Sequence, residues 1–312
     1  MGKIAFVFSG QGAQYTGMGK ELYECSPGAK KVFDMADSIR ANTSEQCFEA
    51  EVSELSKTVN TQPCVFTADL AAACAVAEKG IKPDCVAGFS LGEISALAFS
   101  QMLSYEDAFK LVCRRGSLMD KAAEKNKGAM LAVMKLTPEQ VEQVCAKFDN
   151  TYPVNYNSPA QTVVATSEEN AEKLAEAFSD IKGRAKRLAV SGAFHSPFMS
   201  EAADGLYEYL KDVNVNDGCI PVYSNFTAEP YSGDYKMLIK AQVENPVRWQ
   251  KTIENMIADG VDTFIEVGVG KTLTGLIKRI NGDVKALKVE NKSDLEPQNS
   301  ALRQKLKSFQ KR

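Results

Sequence analysis

Gly88-Phe89-Ser90-Leu91-Gly92 joins Cys85-Val86-Ala87, an apolar run that reads as a short buried strand, to Leu91 through Phe99, which reads as a helix. G-x-S-x-G between a strand and a helix is the setting of a nucleophile elbow. The glycines permit a strained turn that lifts the Ser90 hydroxyl clear of the backbone. The following helix N-terminus then aims amide groups and the positive end of its dipole at a developing oxyanion. A tight strand-to-helix turn with an incidental serine is the alternative that the pentapeptide alone leaves open.

Outward from the elbow, the same alternation recurs. Ile4 to Phe8 is an apolar, β-prone run ending at Ser9-Gly10, which suits a central strand of a parallel sheet. A helix is expected to open near Thr61, with Pro63 in its first turn, and to stop at Gly80. Further strands are expected at Ile220 to Tyr223 and Thr263 to Val267. The alternation implies an α/β fold with helices on both faces of a mostly parallel sheet, an α/β-hydrolase-like large subdomain. Between about Gly128 and Val190 the rhythm changes to AMLAVM, TPEQVEQVCAKF, PVNYN, TVVAT, EENAEKLAEAFSDI and AKRLAV. Strand, helix, strand, strand, helix, strand is the ferredoxin-like unit. The expected division is therefore a large subdomain of residues 1–126 and 191–312 and an inserted small one of residues 127–190. The tail after Lys288 reads as a charged surface segment ending in a short helix.

Composition narrows the function classes. With 312 residues, 44% of them hydrophobic, the chain can bury a full core without staples. A net charge of -3 gives no global attraction to nucleic acid or an anionic membrane, so neither is expected as a partner. The eight cysteines form no CxxC pair and no metal-like spacing, which reads as reduced thiols in a cytoplasmic protein without a metal. No run approaches a membrane span, and the opening MGKIAFVFSG is too short in apolar residues for a signal segment.

A reactive serine needs a base, and the only histidine is His195, in the loop-like SGAFHSP. Ser before His in chain order agrees with elbow-type enzymes. Along the helix expected from Tyr105 to Lys125, Ala108, Leu111, Val112, Leu118, Met119 and Ala122 form one stripe, with Arg115 in its middle. A guanidinium aimed into a core must meet an anion, either an internal carboxylate or a substrate carboxylate gripped by two parallel hydrogen bonds. Gly10-Gln11-Gly12-Ala13-Gln14 follows the first strand, where α/β sheets gather ligands. It is either a plain turn or a backbone donor that completes an oxyanion hole with the Leu91 amide. Gly268-Val269-Gly270-Lys271-Thr272 ends like a nucleotide-binding loop but has Ile265 where the first glycine belongs, which excludes that reading.

Taken together, FVFSGQGAQ, TQP at Thr61 to Pro63, GFSLGE, RRGSLM, PVNYNSP, GAFHSP, NPVRW and EVGVGKTLTGL resemble, in order and spacing over nearly the whole chain, the malonyl-CoA:acyl carrier protein transacylases of type II fatty acid synthesis. The resemblance implies Ser90 as nucleophile, His195 as base, and the amides of Gln11 and Leu91 as oxyanion hole. Arg115 would hold the free carboxylate of malonate, and the backbone carbonyl of Arg248 would orient the imidazole. Phe89, Phe194 and Asn157 would line the substrate pocket, Phe194 excluding a branched acyl group. Family members often carry His where Phe89 stands, so selection among acyl groups is left open. The resemblance further implies malonyl-CoA and holo acyl carrier protein as partners, no cofactor, and a monomer. Lys182, Arg184, Lys186, Arg187, Lys278 and Arg279 are candidates for meeting an acidic carrier protein, or simply a solvated face. Two rivals share parts of this pattern. An α/β hydrolase has the elbow but usually places an acid between Ser and His and needs no buried Arg; a carrier-binding module would have a spent site.

Overall fold

The computed structural model describes residues 2–296, so the helix expected at the extreme C-terminus lies outside the described residues. By packing, the chain forms two compact units. The first comprises residues up to 116, 214–223 and the described residues from 256; the second comprises 117–213 and 224–255.

The first unit is built on a five-stranded sheet of β1 (Lys3–Phe8), β2 (Cys85–Gly88), β7 (Val222–Tyr223), β8 (Val261–Val267) and β9 (Lys285–Val289). Their order is β7-β2-β1-β8-β9, and every pairing among the described residues is parallel. Residues Ile4 to Phe8 of β1 are all buried, as a strand covered on both faces should be. From β1 the chain builds first toward β2 and later toward β8, so the strand order reverses at the carboxyl end of β1, where open α/β sheets bind ligands. The register sets Phe8 of β1 beside Gly88 of β2, which brings the Ser9–Gln14 loop and the elbow to the same edge.

Helices Leu91–Phe99 and Tyr105–Lys125 have the expected bounds. The helix expected near Thr61 starts at Thr58 instead and runs to Glu78, with Pro63 sixth rather than in the first turn. Proline there removes the amide that would bond the Val59 carbonyl. The helix tolerates this loss because it is buried nearly all round, so tertiary packing outweighs local preference. The strand expected at Ile220 shrinks to Val222–Tyr223. Where a charged surface segment is expected after Lys288, β9 ends at Val289 and the helix Lys292–Leu295 follows. Lysines in KALKV mimic a surface segment, but β9 is an edge strand with one neighbour and part of its length exposed.

The second unit holds β3 (Gly128–Met134), β4 (Thr151–Ser158), β5 (Gln161–Ser167) and β6 (Arg184–Arg187) in antiparallel order β4-β5-β3-β6. With helices Pro138–Cys145 and Ala171–Asp180 this is the ferredoxin-like succession. Leu131, Val133 and Val164 pack against Val141, Leu174 and Phe178 of the two helices. The last strand stops at Arg187, short of the expected Val190. All its elements fall within residues 127–190, and the same compact unit also takes in Ser200–Leu210 and Tyr235–Glu244.

Candidate active site

Ser90 has φ +54° and ψ −106°, a backbone state that a non-glycine residue adopts only under constraint. The constraint is steric. A Cβ on Gly88 would lie 1.8 Å from the Gly92 carbonyl carbon, and one on Gly92 would lie 2.2 Å from the Phe8 carbonyl oxygen. Both glycines are needed for close approach rather than for positive φ. The Phe89 amide donates to the Phe8 carbonyl at 3.0 Å and ties the elbow to β1. In the helix that follows, Gly92 and Glu93 are the first amides bonded back into the turn, to Phe89 and Ser90. Leu91 thus occupies the first position, where an N–H has no intrahelical acceptor. The Gly10 backbone presses on the elbow as well, since a Cβ there would meet the Phe89 carbonyl at 2.7 Å. Gln11 follows it, half-buried.

Arg115 is 1% exposed. Its Nη1 donates to Gln62 Oε1 at 2.9 Å and its Nη2 to Ser90 Oγ at 3.1 Å. Burial pushes the guanidinium down to about 10, opposed by the charge of the buried Glu93, so it stays cationic at neutral pH. The structure therefore contains elements of both readings of Arg115: an internal acid balances its charge, and its fork reaches the serine oxygen. A carboxylate held there would sit beside Ser90. Gln62 and Glu93 were not singled out from sequence. A glutamine before a proline in an otherwise apolar helix was the available signal for the first.

In the second unit His195 is 3% exposed and also has positive φ, +60°. Its Nδ1 lies 2.8 Å from the Gln242 carbonyl oxygen. A carbonyl only accepts, so Nδ1 carries the proton and Nε2 of the neutral ring keeps a lone pair. Gln242 lies in the last turn of the helix Tyr235–Glu244, where carbonyls lack intrahelical donors and the dipole favours positive charge, by about 0.3–1 kcal/mol at exposed sites and more when partly buried. This corrects the expectation for Arg248. The Arg248 carbonyl accepts from Thr252 N at 2.9 Å and Thr252 Oγ1 at 3.0 Å, because Arg248 immediately precedes the helix Trp249–Ala258 and its carbonyl is spent in the first turn.

Phe194 and Asn157 of the same unit are buried, and Asn157 Oδ1 has no protein hydrogen-bond partner among the described residues. Phe89 of the first unit is half-buried. Lys182, Arg184, Lys186, Arg187, Lys278 and Arg279 are all exposed, and Arg187 is engaged by Glu168 at 2.7 Å. Among the described residues no group of three or more His, Cys, Asp or Glu could hold a metal ion, and no helix is long and apolar enough to cross a membrane.

A strained serine between a parallel strand and a helix N-terminus, beside a buried cation, is a setting suited to an acyltransferase. Residues 5–296 match the acyl transferase domain, and the chain belongs to that family. Within it the chain belongs to the malonyl CoA-acyl carrier protein transacylases. It is 40% identical over 304 residues to that of Bacillus subtilis (strain 168), covering 95% of this chain and 96% of that protein. The crystal structure of the Clostridium perfringens malonyl CoA-acyl carrier protein transacylase superposes with a TM-score of 0.93 at 39% identity, covering 97% and 98% of the two chains. A malonyl-transacylase solved in complex with its type II PKS acyl-carrier protein gives a TM-score of 0.92 at 33% identity, covering 97% and 99%.

Proposed function

We propose that the chain transfers malonyl from malonyl-CoA to the phosphopantetheine thiol of an acyl carrier protein through a malonyl-Ser90 intermediate, supplying the extender unit for fatty acid synthesis. The observation that carries this reading is the guanidinium of Arg115, buried and 3.1 Å from Ser90 Oγ. An acyl group ending in a carboxylate gives that cation its anion at the place where the acyl carbon must react.

In the first half-reaction Ser90 Oγ attacks the thioester carbonyl while His195 Nε2 takes its proton. The Gln11 and Leu91 amides stabilise the tetrahedral oxyanion. Collapse breaks the C–S bond, the proton passes to the sulfur, and coenzyme A leaves. In the second half the carrier thiol attacks malonyl-Ser90 and the same groups act in reverse. Each step exchanges one nucleophile for another, so electrons balance without a redox cofactor, and the coenzyme is a substrate. The Nδ1–H bond to the Gln242 carbonyl supports His195 as base, because it fixes the tautomer whose Nε2 accepts. Phe89, Phe194 and Asn157 are assigned to the acyl and pantetheine pocket, and residues 127–190 to an inserted subdomain of the larger fold. We assign Lys182, Arg184, Lys186, Arg187, Lys278 and Arg279 to the meeting with an acidic carrier, and the enzyme to the cytoplasm as a monomer.

Intact-protein mass after brief mixing with malonyl-CoA, acetyl-CoA or methylmalonyl-CoA tests the proposal. One malonyl adduct is expected, absent from Ser90→Ala and weak with the other thioesters. Release of coenzyme A without an adduct would make the chain a hydrolase; neither adduct nor release would leave a binding module.

A further inference from the structure

Asp69 is a buried acid in the Ala-rich middle of the helix Thr58–Glu78, fully shielded from solvent and unused by the mechanism above. Burial pushes its carboxyl up, opposed by hydrogen bonds from Val269 and Ser9. Both carboxylate oxygens accept from Ser9 Oγ, each at 3.0 Å, and Oδ1 also accepts from the Val269 amide at 2.9 Å. Ser9 directly follows β1 and precedes Gly10-Gln11. Val269 belongs to the Gly268-Val269-Gly270 loop, the motif that resembles a nucleotide site without being one. A Cβ on Gly268, which has φ +108°, would lie 1.9 Å from Asp69 Oδ1, so no side chain fits and the loop closes directly on the carboxylate. On its other side the loop faces the segment after Gln11, where a Cβ added to Gly270 would meet Ala13 Cβ at 3.3 Å, and the Gly270 amide is held by Glu290 Oε1 at 2.9 Å.

A buried carboxyl is an expensive way to join two loops, since burial disfavours its charged form. It does have a property a weaker link lacks, since its two oxygens fix the direction of both donors at once. We propose that Asp69 is a positioning residue that clamps the carboxyl end of β1 to the Gly268–Gly270 loop and thereby holds the Gln11 amide where the oxyanion forms. The inference rests on the reading of Gln11 as an oxyanion donor.

The test uses the full chain and rapid-quench acylation by malonyl-CoA, reading the rate constant and the amplitude separately. Asp69→Asn keeps the shape but lacks the second acceptor; Ser9→Ala breaks the same link and is the milder change should Asp69→Asn fold poorly. Misplacing an oxyanion donor without removing it is expected to slow acylation about 10- to 100-fold. Half-saturation by malonyl-CoA and the preference for malonyl over acetyl should stay unchanged, because Arg115 is untouched. The double variant should be no slower than the worse single one. A normal rate constant with reduced amplitude would mean that Asp69 only maintains the fold, and would overturn the proposal. Replacing the residue-11 amide by an ester separates the two readings. If the ester slows acylation and Asp69→Asn and Ser9→Ala do not, the clamp alone fails; if the ester acylates at the normal rate, the oxyanion reading fails and the clamp with it.

Discussion

Ser90 and His195 are both non-glycine residues at positive φ, yet their surroundings constrain them in different ways. The turn at Ser90 is enforced within five residues, by two glycines whose missing Cβ atoms allow backbone to touch backbone. At His195 it is the ring that is held from far along the chain, by a carbonyl 47 residues away at a helix end. The first kind leaves a readable sequence signature. The second leaves none, because any residue type could have supplied the carbonyl.

Breaking the local constraint should have the larger effect. Gly88→Ala places a methyl within bonding distance of the Gly92 backbone, so a loss of about 4 kcal/mol or more is expected, read as a collapse of the urea midpoint. Next comes Arg115→Ala, which should slow malonyl-Ser90 formation about 10²- to 10³-fold while acetylation changes little. The pH dependence has a definite sign. Burial holds the folded guanidinium near 10, so the preference for malonyl over acetyl should be flat around neutrality and fall as pH rises through about 10. The smallest effect is expected at the Arg248 side chain. Arg248 is exposed and its carbonyl is engaged in its own helix, so Arg248→Ala should leave turnover within about twofold. A large loss there would give the Arg248 side chain, as distinct from its carbonyl, a role of its own.

Legibility followed the same division. Helix Tyr105–Lys125 could be read to the residue because its apolar stripe has one period throughout, and the one polar member of that stripe, Arg115, proved to be the buried cation. The helix start at Thr58 was misjudged because proline usually marks a first turn, and here packing overrode it. β9 is not legible because an edge strand with two lysines among its five residues has the composition of a surface segment. Gln62, Glu93 and Asp69 share one signature, a polar residue in an apolar helical context, but sequence does not say what such a residue faces.

The amino-acid sequence by itself determined the alternation of strands and helices, the elbow around Ser90, the single histidine His195 and the buried cation Arg115. Each of these follows from short-range sterics, from periodicity along one element, or from there being only one residue of its kind. Only the tertiary structure decided that Gln62 braces the guanidinium, that Gln242 rather than Arg248 fixes the imidazole tautomer, and that Asp69 joins two loops. Those are hydrogen bonds between groups distant in the chain, and backbone carbonyls and amides are the same at every position until folding chooses among them.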